Sequence, residues 1–151
     1  MADVYIVAGD GSCGKSSTIR ALTGARVRGK INIAFSTPQG ILDAWVEIRS
    51  LQESPNDLSP ENFNQVLKNS GCQLAIIALR ANQYNGQPDV QNYIDALQNA
   101  GHRIAGFGQL GSHWPQPTTN PQIQVVPVPV QSANSAPNQR AALLRTAWHI
   151  S

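Results

Sequence analysis

The chain has 151 residues, 41% of them hydrophobic and only 13% charged, which suits one ordinary domain burying roughly two thirds of its unfolded surface and leaves no room for a two-domain enzyme. A net charge of +2 with a pI near 8.7 is too mild a bias for a dedicated nucleic-acid binder with a basic face. No apolar run approaches the roughly 18 residues of a membrane span, and MADVYIVAGD carries an acid where a secretory leader would be basic, so a cytoplasmic protein is expected.

Asp3–Ala8, DVYIVA, is a short β-rich apolar run that predicts a buried strand, and a glycine-rich loop follows it. Residues 15–23 place Ile19 and Leu22 three apart among small residues before Gly24, the expected stop of a helix. A second strand is predicted over Ile31–Phe35, closed by the turn signal STPQG. Residues 44–51, AWVEIRSL, fit a helical face through Trp45, Ile48 and Leu51, but their Trp, Val and Ile content and short length tip the reading to strand. Ser59-Pro60-Glu61 opens a helix with a capping hydroxyl, a proline at the first position and an acid at the positive dipole end; Phe63, Val66 and Leu67 face the core and Gly71 ends it.

Gln73–Leu79, QLAIIAL, is a near-continuous apolar run of the kind buried on both faces in a parallel sheet. Asp89 caps a further helix carrying Val90, Tyr93, Ile94 and Leu97 before Gly101, and Arg103–Phe107 follows as a thinner strand. From Gln109 to Gln139 the composition turns to Pro, Gln, Asn, Ser and Thr, with a loop at about 109–122; Ile123–Val130 interrupts it, and Pro127 and Pro129 favour an edge strand there. Ser135 opens the last helix, with Leu143, Leu144, Ala147 and Trp148 on one side and Arg140 on another. The alternation predicts one α/β domain over 1–151, a three-layer sandwich whose mostly parallel sheet has five or six strands joined by right-handed crossovers.

Between the first strand and the first helix stands Gly9-Asp10-Gly11-Ser12-Cys13-Gly14-Lys15-Ser16-Ser17, which satisfies G-x-x-x-x-G-K-S/T in the strand-to-helix setting the motif requires. Glycines let consecutive N–H groups turn into one concavity, and the helix adds the positive end of its dipole, so phosphate oxygens are the expected occupant. The amides of Gly11, Ser12, Cys13, Gly14, Lys15, Ser16 and Ser17 would cradle them. Lys15 would neutralise the outer phosphates, Ser16 would hold Mg2+ through its hydroxyl, and Ser17 would bond the inner phosphate.

The stretch resembles the Walker A loop of P-loop nucleoside triphosphatases, and GDGSCGKSS is especially similar to that of small GTPases, over about a tenth of the chain. That resemblance implies a P-loop NTPase binding ATP or GTP with Mg2+. Small GTPases carry an Asp in DxxG where this chain has Ser36-Thr37-Pro38-Gln39-Gly40, and an N/T-K-x-D motif where it has GFGQLGSHW. Guanine selection is therefore unsupported, and ATP is slightly preferred. Ser132-Ala133-Asn134 resembles the SA-containing base loop. The chain is also similar to small ParA/MinD partitioning ATPases, although Asp10 takes the place of their signature lysine. Together with IAFSTPQGILDAWVEIRSLQESPNDLSPENF, it resembles the small P-loop proteins of conjugative-plasmid stability operons, which implies a part in plasmid stability, positioning or transfer beside a DNA-binding protein partner.

Ligands of open α/β sheets lie beyond the carboxyl ends of the strands, which nominates Thr37, Gln39, Glu53, Arg80 and Gln109. Gln39 could orient an attacking water, as glutamine does in some NTPases, or be a polar turn residue. INIAF, QLAIIAL and RIAGF each end without the acid that would hold magnesium through water, so Glu53 is the candidate metal residue, against the plainer reading of a solvated loop acid. Arg80 is a candidate phosphate contact or a surface ion-pair member.

Arg20, Arg26, Arg28 and Lys30 put four positive charges in eleven residues with no acid among them, suited to nucleic acid, to an acidic protein, or simply to a solvated face. Cys13, at a helix N-terminus, could be oxidation-sensitive or merely small. Cys13 and Cys72 lie far apart without a CxxC or histidine partner, and His102, His113 and His149 form no spaced cluster, so no disulfide framework or zinc site is expected. Trp148 reads as a core residue, with a homodimer or partner contact as the alternative. The function expected is a slow NTPase acting as a switch or motor accessory; the alternatives are a non-catalytic nucleotide-sensing interaction module and a small-molecule phosphotransferase.

Overall fold

Val4, Ile6, Val7 and Ala8 leave no polar face on the first strand, and such a strand is stable only when helices cover both sides of its sheet. In the computed structural model, which describes residues 1–10, 14–111, 123–129 and 136–151, this strand is β1, Asp3–Gly9. The other strands are β2 (Gly29–Ala34), β3 (Ile41–Ser50), β4 (Leu74–Arg80), β5 (Arg103–Leu110) and β6 (Val125–Val128). They form one six-stranded sheet in the order β2-β3-β4-β1-β5-β6, parallel throughout except for the antiparallel pair β2 and β3.

Among the described residues four α-helices cover the sheet: α1 (Lys15–Thr23), α2 (Pro60–Ser70), α3 (Val90–Asn99) and α4 (Pro137–Trp148). Ile19 and Leu22 of α1 pack with Leu144 and Trp148 of α4 against Tyr5, Val7, Val46 and Ile76. On the other face, Phe63 and Leu67 of α2 and Tyr93, Ile94 and Leu97 of α3 pack against Val4, Ile6, Ala75 and Ile77. The architecture is therefore a three-layer α/β sandwich, with the alternate residues of β1 and β4 feeding two separate cores. The capping expected from the sequence is present: Ser59 Oγ accepts from the Asn62 N–H at 3.2 Å, and Asp89 Oδ1 accepts from the Asn92 N–H at 3.1 Å.

Residues 44–51 are strand up to Ser50 and then tighten into a 3₁₀ turn over Leu51–Glu53. Trp45 packs on the α2/α3 side and Ile48 on the α1/α4 side, so they do not share one face as a helix would require. Pro127 lies in β6 at the sheet edge, the position open to a residue without an N–H. The strand predicted over Arg103–Phe107 continues to Leu110, which takes Gln109 out of the polar loop expected at 109–122 and buries it. Residues 112–122 and 130–135, which include Val130, Ser132-Ala133-Asn134 and Ser135, lie outside the described residues, and α4 begins after Ala136 with Pro137 in its first turn.

The expected division of α4 is corrected. Arg140 is buried on the same face as Leu144 and Trp148, four residues apart each time, whereas Leu143 is exposed.

A pH dependence follows from the start of β1. The Ala2 N–H donates to His102 Nδ1 at 3.0 Å, and burial, followed by the nearby N-terminal charge, holds the His102 pKa below its ordinary value. The folded state thus prefers neutral His102, and the unfolded chain takes up its proton first as pH falls. Stability from this group is complete above the unfolded histidine value and declines as pH drops toward the folded one, by at most about 1.4 kcal/mol per pH unit. Urea midpoints measured between neutral and mildly acid pH should fall for the native chain and lose this component in His102→Gln.

Candidate functional site

β1 and β4 are neighbours whose following helices, α1 and α3, pack on opposite faces of the sheet, and ligands of open α/β sheets lie at the carboxyl ends of such a pair. The loop from β1 to α1 stands there. Gly11, Ser12 and Cys13 lie outside the described residues; Asp10 and Gly14 bracket them. Gly14 has φ +96°, in the left-handed region that glycine adopts without strain. The first intrahelical bond of α1 runs from the Thr18 N–H to the Gly14 carbonyl at 3.0 Å, and α1 has no side-chain N-cap. Its first turn stands at the positive end of the helix dipole.

Lys15 opens this helix, only 5% exposed, and its Nζ donates to the Asp10 carbonyl at 2.7 Å, so the side chain reaches back to the end of β1. A cation in that position opposes the dipole and does nothing for the stability of α1 by itself. Ser16 Oγ donates its proton to the Ile48 carbonyl at 3.0 Å, which leaves the hydroxyl lone pairs for another partner. Ser17 Oγ is 3.4 Å from the Gly14 carbonyl.

Arg140 is the residue at this site that sequence reasoning missed. It is 5% exposed, its Nε donates to Thr18 Oγ1 at 2.8 Å, and Thr18 Oγ1 donates in turn to the Gly14 carbonyl at 2.7 Å. The guanidinium lies so close to Gly14 that a Cβ there would meet Nη2 at 2.7 Å. Arg145, further along α4, donates to the carbonyls of Ala21 and Leu22 at the other end of α1. Two arginines of one helix therefore grip α1 at both ends. The four-residue spacing of Arg140, Leu144 and Trp148 was the available signal for the first. Arg140→Ala is expected to lower stability by about 3 kcal/mol, combining the loss of a charge-assisted bond with a cavity, as read by urea denaturation.

The remaining nominated residues divide by strand direction. Because β2 runs antiparallel to β3, the turn holding Thr37 and Gln39 lies at the amino ends of the parallel strands, opposite the loop of Lys15. Thr37 Oγ1 donates to Gln39 Oε1 at 3.0 Å there, while Ser36 and Phe35 meet the end of the chain near His149 and Ile150. Gln39 therefore stands in a turn at the end of the sheet away from the Lys15 loop. Glu53 does sit at the carboxyl end of β3, but its Oε1 is 3.4 Å from Arg80 Nη1, and the Arg80 guanidinium lies 3.9 Å from the Tyr84 ring centroid. Gln52, buried beside them, accepts from the Arg80 N–H at 3.0 Å and donates to the carbonyls of Arg80 and Pro88, tying β3 to β4 at the sheet's top edge.

The basic stretch is also divided. Arg28 makes a two-pronged ion pair with Glu47, Nη2 to Oε2 at 2.7 Å and Nε to Oε1 at 2.9 Å, and the hydrogen bonds to Glu47 hold its pKa above the ordinary arginine value. Trp45 Nε1 donates to the same carboxylate at 2.7 Å. Arg20, Arg26 and Lys30 are exposed.

Among the described residues no group of three His, Cys, Asp or Glu side chains could hold a metal, and no helix is long and apolar enough to cross a membrane. Compared with protein-family models, curated proteins and solved structures, the chain matches none.

Proposed function

We propose that this chain binds a nucleoside triphosphate, ATP slightly in preference to GTP, at the loop between β1 and α1, and acts as a nucleotide-dependent switch toward a protein partner. The observation that carries the reading is Lys15. The G-x-x-x-x-G-K-S motif coincides with a strand-to-helix turn at the carboxyl edge of the sheet, and its lysine reaches back to the end of β1 although the helix dipole opposes it. A polyanion held by the first-turn amides would reverse that opposition, since Lys15 and the dipole would then act on the same negative charge.

The residues fit magnesium as an ion brought by the nucleotide rather than one caged by protein. Ser16 offers lone pairs while its proton is held by the Ile48 carbonyl, whereas the Glu53 carboxylate would have to leave Arg80 to contribute. When bound, the ion would neutralise charge between the outer phosphates. Placing Gln39 at the far end of the sheet removes the residue nominated to orient water, which favours binding and sensing over rapid hydrolysis. Turnover, if it occurs, is slow; single-turnover assays with and without partner and DNA separate a slow NTPase from a pure sensor. The setting in plasmid stability, positioning or transfer beside a DNA-binding protein is supported by the sequence resemblance alone.

The test is calorimetric titration with ATP, GTP and their diphosphates, with and without Mg2+. Saturable binding that disappears in Lys15→Ala is expected, and unchanged affinity in that variant would refute the assignment.

A further inference from the structure

The tertiary structure does something to the basic stretch that its spacing does not suggest. One side of α1, the segment from α1 to β2, the end of β3 and the segment after the 3₁₀ turn line an open cavity of about 540 Å³. Four arginines line it, Arg20, Arg26, Arg28 and Arg49, against one acid, Glu47. The local excess of three positive charges exceeds the +2 of the entire chain. Glu47 is already committed to Arg28. Arg20, Arg26 and Arg49 are exposed and have no hydrogen-bond or ion-pair partner among the described residues.

We propose that this cavity is an anion site distinct from the Lys15 loop, taking a small organic molecule that carries two or more phosphate groups. Guanidinium forks match phosphate oxygens in pairs, and the wall adds neutral polar groups at Ser54 and Asn56. Val27, 75% exposed beside the arginines, offers apolar surface for a carbon skeleton. The arginines come from separate segments around one hollow of small-molecule size rather than lining a stripe along the surface, and Lys30 is not among the lining residues. That arrangement suits a compact polyanion better than a nucleic-acid backbone. Ser16 lies in the same wall, so the cavity adjoins the Lys15 site without sharing its lysine.

Inorganic tripolyphosphate is the probe, titrated calorimetrically into full-length Lys15→Ala, a background that removes the nucleotide site and keeps the two readings separable. One saturable site is expected there. Adding Arg20→Ala, Arg26→Ala and Arg49→Ala should weaken it at least about 100-fold, at roughly tenfold for each charge-assisted hydrogen bond removed. These side chains are exposed, so an unchanged circular dichroism spectrum and melting curve are expected alongside. Affinity that survives the triple substitution overturns the proposal. So does tighter binding of a single-stranded oligonucleotide that falls as much in Lys30→Ala as in Arg49→Ala, since that result describes a nucleic-acid surface. Loss of the tripolyphosphate site in the arginine variants, with ATP affinity unchanged by Lys15→Ala, would support the cavity while refuting the nucleotide reading.

Discussion

Lys15→Ala should bind ATP at least about 100-fold more weakly than the native chain, which corresponds to two charge-assisted hydrogen bonds of about 1.5 kcal/mol each to phosphate oxygens. Its fold should survive. Lys15→Ala also gives up the 2.7 Å bond to the Asp10 carbonyl and the packing of a buried stem, so a lower thermal midpoint with a cooperative transition is expected. Lys15→Met sharpens the result, because it keeps the buried stem and removes only the charge. Binding by Lys15→Met at native strength would show that the ammonium does not hold the ligand. Equal weakening in both variants, with cooperative melting curves, would place the whole effect on charge at the loop.

Gly106→Ala should be the most damaging single-methyl change in the sheet. Its Cβ would fall on Trp148 Nε1 and lie 2.7 Å from both Trp148 Cδ1 and Tyr5 Cδ1, in a tilted ring pair whose centroids are 5.0 Å apart. Neither ring can bend away, so α4 as a whole must lift from β5. Overpacking of this kind costs about 1–3 kcal/mol, and the rigid indole puts Gly106→Ala at the upper end. Gly108→Ala is the matched control: its Cβ would approach Leu144 Cδ2 at 2.9 Å, a flexible methyl that can rotate, and about 1 kcal/mol is expected. Urea unfolding of the pair gives the comparison. Because α4 also carries Arg140 onto Gly14, Gly106→Ala should weaken ATP binding as well, although Gly106 lies in mid-strand, away from the loop. A neutral Gly106→Ala would mean that Trp148 does not seat α4 as described.

Local chemistry written over a few residues was legible without coordinates. Continuous apolar runs announced β1 and β4, Ser59-Pro60 and Asp89 announced helix starts, and Pro127 announced an edge strand, because burial on two faces, capping and a missing N–H act within one segment. The β1–α1 turn with Lys15 at the head of the helix belongs with these.

Strand direction was not legible in that way. INIAF reads the same parallel or antiparallel, and only its pairing with β3 sends Gln39 to the far end of the sheet. Partners were hidden for the same reason. Glu53 reads as a loop acid until Arg80 is beside it, and Arg28 reads as one of four solvated cations until Glu47, nineteen residues on, takes it out of the set. Arg140 stands 122 residues from Thr18, so no local pattern could connect them. What the amino-acid order determined was the succession of elements and the loop with its lysine. What the packed chain alone decided was which charges are spent on each other and which remain to face a ligand, because charge pairing depends on distance in space and the chain brings remote segments together only on folding.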